Sequence, residues 1–134
     1  MTMTSKKTRT AAFASYGVML VNPNWSLSGH SETLGIVAVS IWRDEIRGTG
    51  GRLFYERTSW EGWHDGPGRR EFFQNLRWAW DNTVGIVRVV ASTRKGDVRI
   101  ESFPLPNLVM RVAHLDATAG AFRLEQVVSE AIAA

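Results

Sequence analysis

Cysteine is absent from these 134 residues, which excludes disulfides, thiolate metal ligands and cysteine nucleophiles. Lysine is nearly as scarce beyond the N-terminus: of the 13 basic side chains in residues 11–134, only Lys95 is a lysine. No apolar run approaches the roughly 18 residues a membrane span needs, so no membrane association is expected. The basic start MTMTSKKTRTAAFAS lacks the apolar stretch of about 7–15 residues that a secretory leader requires. A cytoplasmic setting is the expectation. The three histidines, His30, His64 and His114, have neither HxH nor HxxxH spacing, which argues against a metal site. GxSxG, HExxH and Walker-type loops are missing. The GTGG stretch at Gly48–Gly51 joins two strand-like segments, with no helix to lend its dipole to a phosphate. No cofactor is expected.

The charge that is present is unevenly placed. The formal net charge is +3, and all of it comes from Lys6, Lys7 and Arg9, because residues 11–134 hold 13 acidic groups against their 13 basic ones. Within that neutral body, residues 47–99 carry ten basic and six acidic side chains. Arginine favours planar, bidentate contacts and stacking on aromatic rings, whereas lysine acts as a point charge. The balance therefore favours specific polar recognition with a small footprint over a phosphate-coating surface.

Residues 1–12, polar and basic, read as a mobile tail, and residues 13–134 as a single α+β domain. Tyr16–Asn22 reads as a short buried strand that stops at Asn22-Pro23. Leu34–Ile46 is β-branched and continuous, as a central strand would be, and RGTGG turns it into a hairpin with Arg52–Ser59. A helix follows, with Asp65 to cap it, Pro67 in its first turn and Asp81-Asn82-Thr83 to end it. Val84–Ser92 reads as a strand, and Val98–Asn107 as extended chain whose Pro104 and Pro106 exclude a central strand. The chain closes with a hairpin turning at DATAG. The order β-β-β-α-β-β-β with one main helix predicts a curved, mostly antiparallel sheet, a half-barrel. In architecture this order resembles the small PUA-like barrels, which read modified bases or RNA. The resemblance lies in the arrangement of elements, without a shared motif.

Four of the six tryptophans fall between Thr58 and Trp80. At 100° per residue, Phe72, Phe73, Leu76, Ala79 and Trp80 share the core face of the helix, while Trp78 falls on the far side and requires a cover. That cover is the loop WEGWHD, a second subunit or a ligand. Trp60 and Trp63 lie in this loop among Gly62, Gly66 and Gly68, either plugging one end of the fold or forming an aromatic wall for a base, sugar or cation. His64 stands beside them. Trp42 ends the long strand and could converge with them. Arg88 and Arg111 sit among apolar strand neighbours, where a charge must reach water, pair with a carboxylate or receive a ligand.

These observations predict a ligand-binding module. Its pocket would be lined by Trp42, Trp60, Trp63, His64, Trp78, Arg88 and Arg111, and would take a nucleobase or modified base in nucleic acid, or a nucleotide-like small molecule. The alternatives are a small α+β hydrolase or isomerase with His64 as acid–base, and a homo-oligomeric structural protein, such as a homodimer, joined through Trp78.

Overall fold

The computed structural model describes residues 7–128. The first six residues of the expected tail lie outside that range. From Arg9 the chain is already ordered, as helix α1 (Arg9–Ala14), whose N-terminus is capped by Thr8 Oγ1 accepting from the Ala11 amide at 3.1 Å. The expected tail therefore ends sooner, because Ala12 and Phe13 bury their side chains against the sheet.

Seven strands follow: β1 (Ser28–Ser31), β2 (Ile36–Trp42), β3 (Arg47–Thr49), β4 (Arg52–Arg57), β5 (Ile86–Lys95), β6 (Val98–Asp116) and β7 (Ala121–Gln126). The main helix α2 (Pro67–Asn82) lies between β4 and β5. The sheet is mixed, in the order β1-β2-β5-β6-β7-β4-β3, and is not closed into a barrel. Among the described residues its only parallel pair is β2 with β5; the other pairings are antiparallel. The class is thus α+β, with a mostly antiparallel sheet and one main helix. No helix among the described residues is long and apolar enough to cross a membrane.

Both members of the parallel pair are covered on two faces, which explains their continuous apolar sequences. Val37, Val39 and Ile41 of β2 and Val87 and Val89 of β5 join Phe72, Phe73, Leu76 and Ala79 of α2 in the main core. Ala38 and Val90 face the other way, under Phe13, Val18 and Leu20. The expected strand Tyr16–Asn22 is this second cover. Its alternation is real, with Val18 and Leu20 buried and Met19 and Val21 88% and 76% exposed, yet no neighbouring strand pairs with it. Strand β1 instead forms between Asn22 and Leu34, where the sequence offers no strand signal.

Two further expectations change. The hairpin at the glycine-rich turn joins β3 to β4, with Gly50 and Gly51 both at positive φ. Strand β2 has left this hairpin through a 3-10 turn at Arg43–Glu45 and pairs elsewhere. The prolines also lie inside β6, the strand between β5 and β7. Pro104 sits at a register shift against β5, and pairing with β7 begins only at Met110, so neither proline interrupts a ladder on that side. At the start of α2 the cap position is Gly66, and Asp65 instead pairs with Arg69 and Arg70, both at 3.1 Å.

The turn after α2 holds the one strained residue among those described. Val84 has φ 55° with its side chain 78% exposed, a conformation that costs a β-branched residue about 1–2 kcal/mol. Val84→Asn is expected to raise stability by about 1 kcal/mol, read as a higher urea midpoint with an unchanged slope. Gly120 is the opposite case, with φ +76° and the Trp60 indole lying where a Cβ would go. Gly120→Ala is expected to cost at least about 2 kcal/mol in the same measurement.

Candidate ligand-binding pocket

The loop 58–66 returns over the sheet because its indoles have places in the core. Trp63 sits against Phe72, Phe73 and Phe122, at ring-centroid distances of 5.2, 5.8 and 6.3 Å. Trp60 packs at 4.8 Å on Phe73 and donates from Nε1 to the Thr118 carbonyl, 3.1 Å away in the β6–β7 turn. The Arg69 guanidinium covers it at 3.9 Å. Trp60 is therefore engaged in closing that turn onto α2.

Trp63 also borders a cavity of about 230 Å³. Ser40, Ile41 and Trp42 from the end of β2 form one wall, and Tyr55 and Arg57 from β4 form another. Gly62 and Trp63 come from the loop, Phe72 from α2, Phe122 from β7, Arg99 from the start of β6, and Leu27 from the chain before β1. Two guanidiniums and several aromatic faces thus meet, and no carboxylate or histidine lines the space.

The two arginines are under-satisfied. Arg57 donates one Nη to the Glu61 carbonyl and lies 5.1 Å from the Trp63 ring centre, but its Nε is buried without a partner. The Nε of Arg99 is buried and unpartnered as well. Burial pushes the Arg99 guanidinium down to about 10, and the neighbouring charge of Arg9 adds to the shift. Arg99 lies 4.8 Å from the centre of Trp42. Arg94 lies over the same indole at 4.4 Å, and its state is the reverse. It donates to the Asp44 carboxylate twice, at 3.0 Å each, and to Glu45 at 2.9 Å. Glu45 also accepts from the Tyr55 hydroxyl at 3.0 Å, and burial together with that carboxylate holds the phenol well above its ordinary pKa. Tyr55 is thus a fixed neutral wall.

Ser40 brings a buried hydroxyl chain to the lining. Its Oγ is 2.9 Å from Ser92 Oγ, which is 2.8 Å from Ser102 Oγ, so the chain crosses β2, β5 and β6. A hydroxyl proton rotates to suit its partner, so this wall can accept or donate.

Of the residues expected to share a site, the structure brings together Trp42 and Trp63. His64 is exposed in the loop and is not part of the lining. Arg88 lies on the α1 face of β5, near Tyr16, with the sheet between it and Trp60 and Trp63. Arg111 is exposed on β6. Trp78 is covered by a route not foreseen: His30 of β1 stacks on it at 4.4 Å, and His30 Nδ1 meets Asn75 Oδ1 at 2.7 Å. Asn75 in turn donates to Ser28 Oγ at 2.8 Å, and burial raises the pKa of nearby Glu71. Trp80, expected in the core, is 50% exposed at the edge of the buried face that Leu76 and Ala79 form. Comparison with known proteins gave no match to a family model, a curated protein or a solved structure.

Arg57 was within reach of the sequence, since it follows Tyr55 by two positions and shares its strand face. Arg99 carried no such signal. The contrast between the two guanidiniums on Trp42 can be measured. Arg94→Gln is expected to lower stability by about 1 kcal/mol, since it removes three charge-assisted contacts to the partly exposed Asp44 and Glu45. Arg99→Gln is expected to stay within about 0.5 kcal/mol of the parent chain, because it removes a desolvated charge along with its stacking contact.

Proposed function

We propose that this cavity is the binding site of a recognition module for a nucleobase, or a modified base, in single-stranded nucleic acid. One observation carries the reading: aromatic walls and two guanidiniums with buried, unpartnered Nε atoms line a space without a carboxylate. Buried polar groups are ordinarily paired, so two lining guanidiniums short of protein partners favour a ligand that accepts hydrogen bonds. The volume, about 230 Å³, lies below the roughly 300–1,000 Å³ of sites for drug-sized molecules and suits a single ring system. Strands β2 and β4 both border the cavity although three strands separate them in the sheet, which supports a half-barrel curl around it.

Electrostatics gives the ligand a direction. The hollow on the far side of Arg57 is lined by Glu45, Glu56 and Glu61 beside Arg47, and would repel phosphate. On the opposite side Arg99 adjoins Arg9, which is tied to the carbonyls of Ser26, Pro23 and Asn24. The backbone of the nucleic acid would leave the pocket toward Arg9. The neutral body limits this to one or two phosphate contacts. Nothing comparable supports the His64 enzyme or a dimer through Trp78, since the first residue is solvated and the second is stacked under His30.

Tryptophan fluorescence titration with a mixed-sequence six-nucleotide RNA tests the proposal. Quenching is expected, with a log–log salt slope of about −0.7 to −1.4 for one or two phosphates. Trp42→Ala is expected to weaken binding about ten-fold or more, and Trp42→Phe much less, because stacking on a flat face contributes about 1–3 kcal/mol per base. Binding that is unaltered in Trp42→Ala would remove the pocket from the account.

A further inference from the structure

We infer that a second copy of this chain docks on residues 18–22, the extended segment over the α1 face of the sheet, and that the two copies meet there about a two-fold axis. The segment has the alternation of a strand without a strand's partner. Val18 and Leu20 pack with Ala38 and Val90, while Met19 and Val21 point outward as large, exposed apolar side chains. With side chains alternating in this way, the backbone groups lie sideways, in the plane of the cover. At the two ends the amides are engaged: Val18 donates to the Phe13 carbonyl at 3.1 Å, and Asn22 to Ser26 Oγ at 3.0 Å. Between them, Met19, Leu20 and Val21 make no backbone hydrogen bond among the described residues.

The apolar surface continues beyond these side chains. Leu34, 56% exposed, lies against Gly17. A groove of about 500 Å³ is lined by Thr10 and Ala14 of α1 and by Met19 and Pro23, with no charged side chain. No Asp, Glu, Lys or Arg stands between Arg9 and Glu32, and Arg9 turns inward to the carbonyls of Ser26, Pro23 and Asn24. Unpaired extended edges are ordinarily blunted by charge, proline or a bulge. Here Pro23 alone does so, beyond the free stretch. The missing charge also indicates the occupant. A two-fold contact brings a patch against itself, so a charge near the axis would meet its like. A patch with none is complementary to its own copy. Antiparallel pairing about Leu20 sets Met19 of each copy against Val21 of the other, on the exposed side.

Sedimentation equilibrium of the full chain, from micromolar to submillimolar concentration, is the test. A reversible monomer–dimer equilibrium is expected, weak because the contact is small. Met19→Glu and Val21→Lys are each expected to weaken it about ten-fold or more, because each sets like charges close to the axis. Both side chains are exposed, so the unfolding midpoints of the two variants are expected to match the parent chain. An equimolar mixture of the variants is expected to return to within about three-fold of the parent affinity. The mixed dimer sets one carboxylate against one ammonium and keeps the other Met–Val contact. A chain that is monomeric at every concentration overturns the inference and leaves the segment to an extended strand of a different protein. A dimer that neither substitution weakens, or a mixture that associates no better than its components, overturns it by placing the contact elsewhere. Where a charged variant does not fold, Met19→Ser is expected to weaken the dimer without adding charge, and a dimer unchanged by it counts against the segment.

Discussion

The wedge formed by Trp63 between Phe72, Phe73 and Phe122 is the contact on which the candidate site depends. It joins three pieces that share no backbone ladder: the loop 58–66, the first half of α2, and β7. Phe122 continues the layer to Tyr55 on β4, at 5.9 Å. Edge-to-face and tilted pairs each add about 0.5–1.5 kcal/mol beyond the apolar area they bury. A layer of several rings therefore holds its members in place as a unit. What it leaves open is the space beyond its edge, where the end of β2 brings Trp42 opposite Arg57.

Around that space the charges are divided with some consistency. The acidic groups are drawn to the 3-10 turn after β2, where Asp44 and Glu45 immobilise Arg94 and Glu45 holds Tyr55 neutral. Arg99 and Arg57 line the cavity, each with a buried Nε that has no partner. A fold optimised only for stability would pair or remove such groups, since an uncompensated desolvated charge is costly. Retained strain and unmet polar groups of this kind concentrate at sites that bind. The rigid phenol, the anchored Arg94 and the hydroxyl chain of Ser40, Ser92 and Ser102 supply a fixed frame beside these two guanidiniums.

The elements of this arrangement were legible to different degrees. The core face of α2 could be read at Phe72, Phe73, Leu76 and Ala79 because helical periodicity needs only local geometry. Its edges could not. Phe73 is covered by the returning loop, Trp80 is left half-exposed, and Trp78 is covered by a histidine 48 positions earlier. The arginines show the same limit. Arg88 stood out for its apolar neighbours, but strand alternation tells only that a side chain leaves one face of the sheet. It does not tell which face is hollow. Arg99, in an unremarked position at the start of β6, enters the cavity because β6 lies beside β5 in the sheet and carries it toward Trp42.

The sequence by itself determined the α+β class, the main helix from Pro67, the closing hairpin, the neutral arginine-rich body and the concentration of indoles before and within that helix. These follow from composition and from periods of two and 3.6 residues, which act over a single turn or strand. Tertiary structure decided that β2 pairs in parallel with β5, that residues 9–20 cover the second face of the sheet, and that Trp42 and Trp63 meet Arg57 and Arg99 while Arg88 does not. Those outcomes depend on strand order and on which surfaces can be buried together, and residues far apart in the chain settle them jointly.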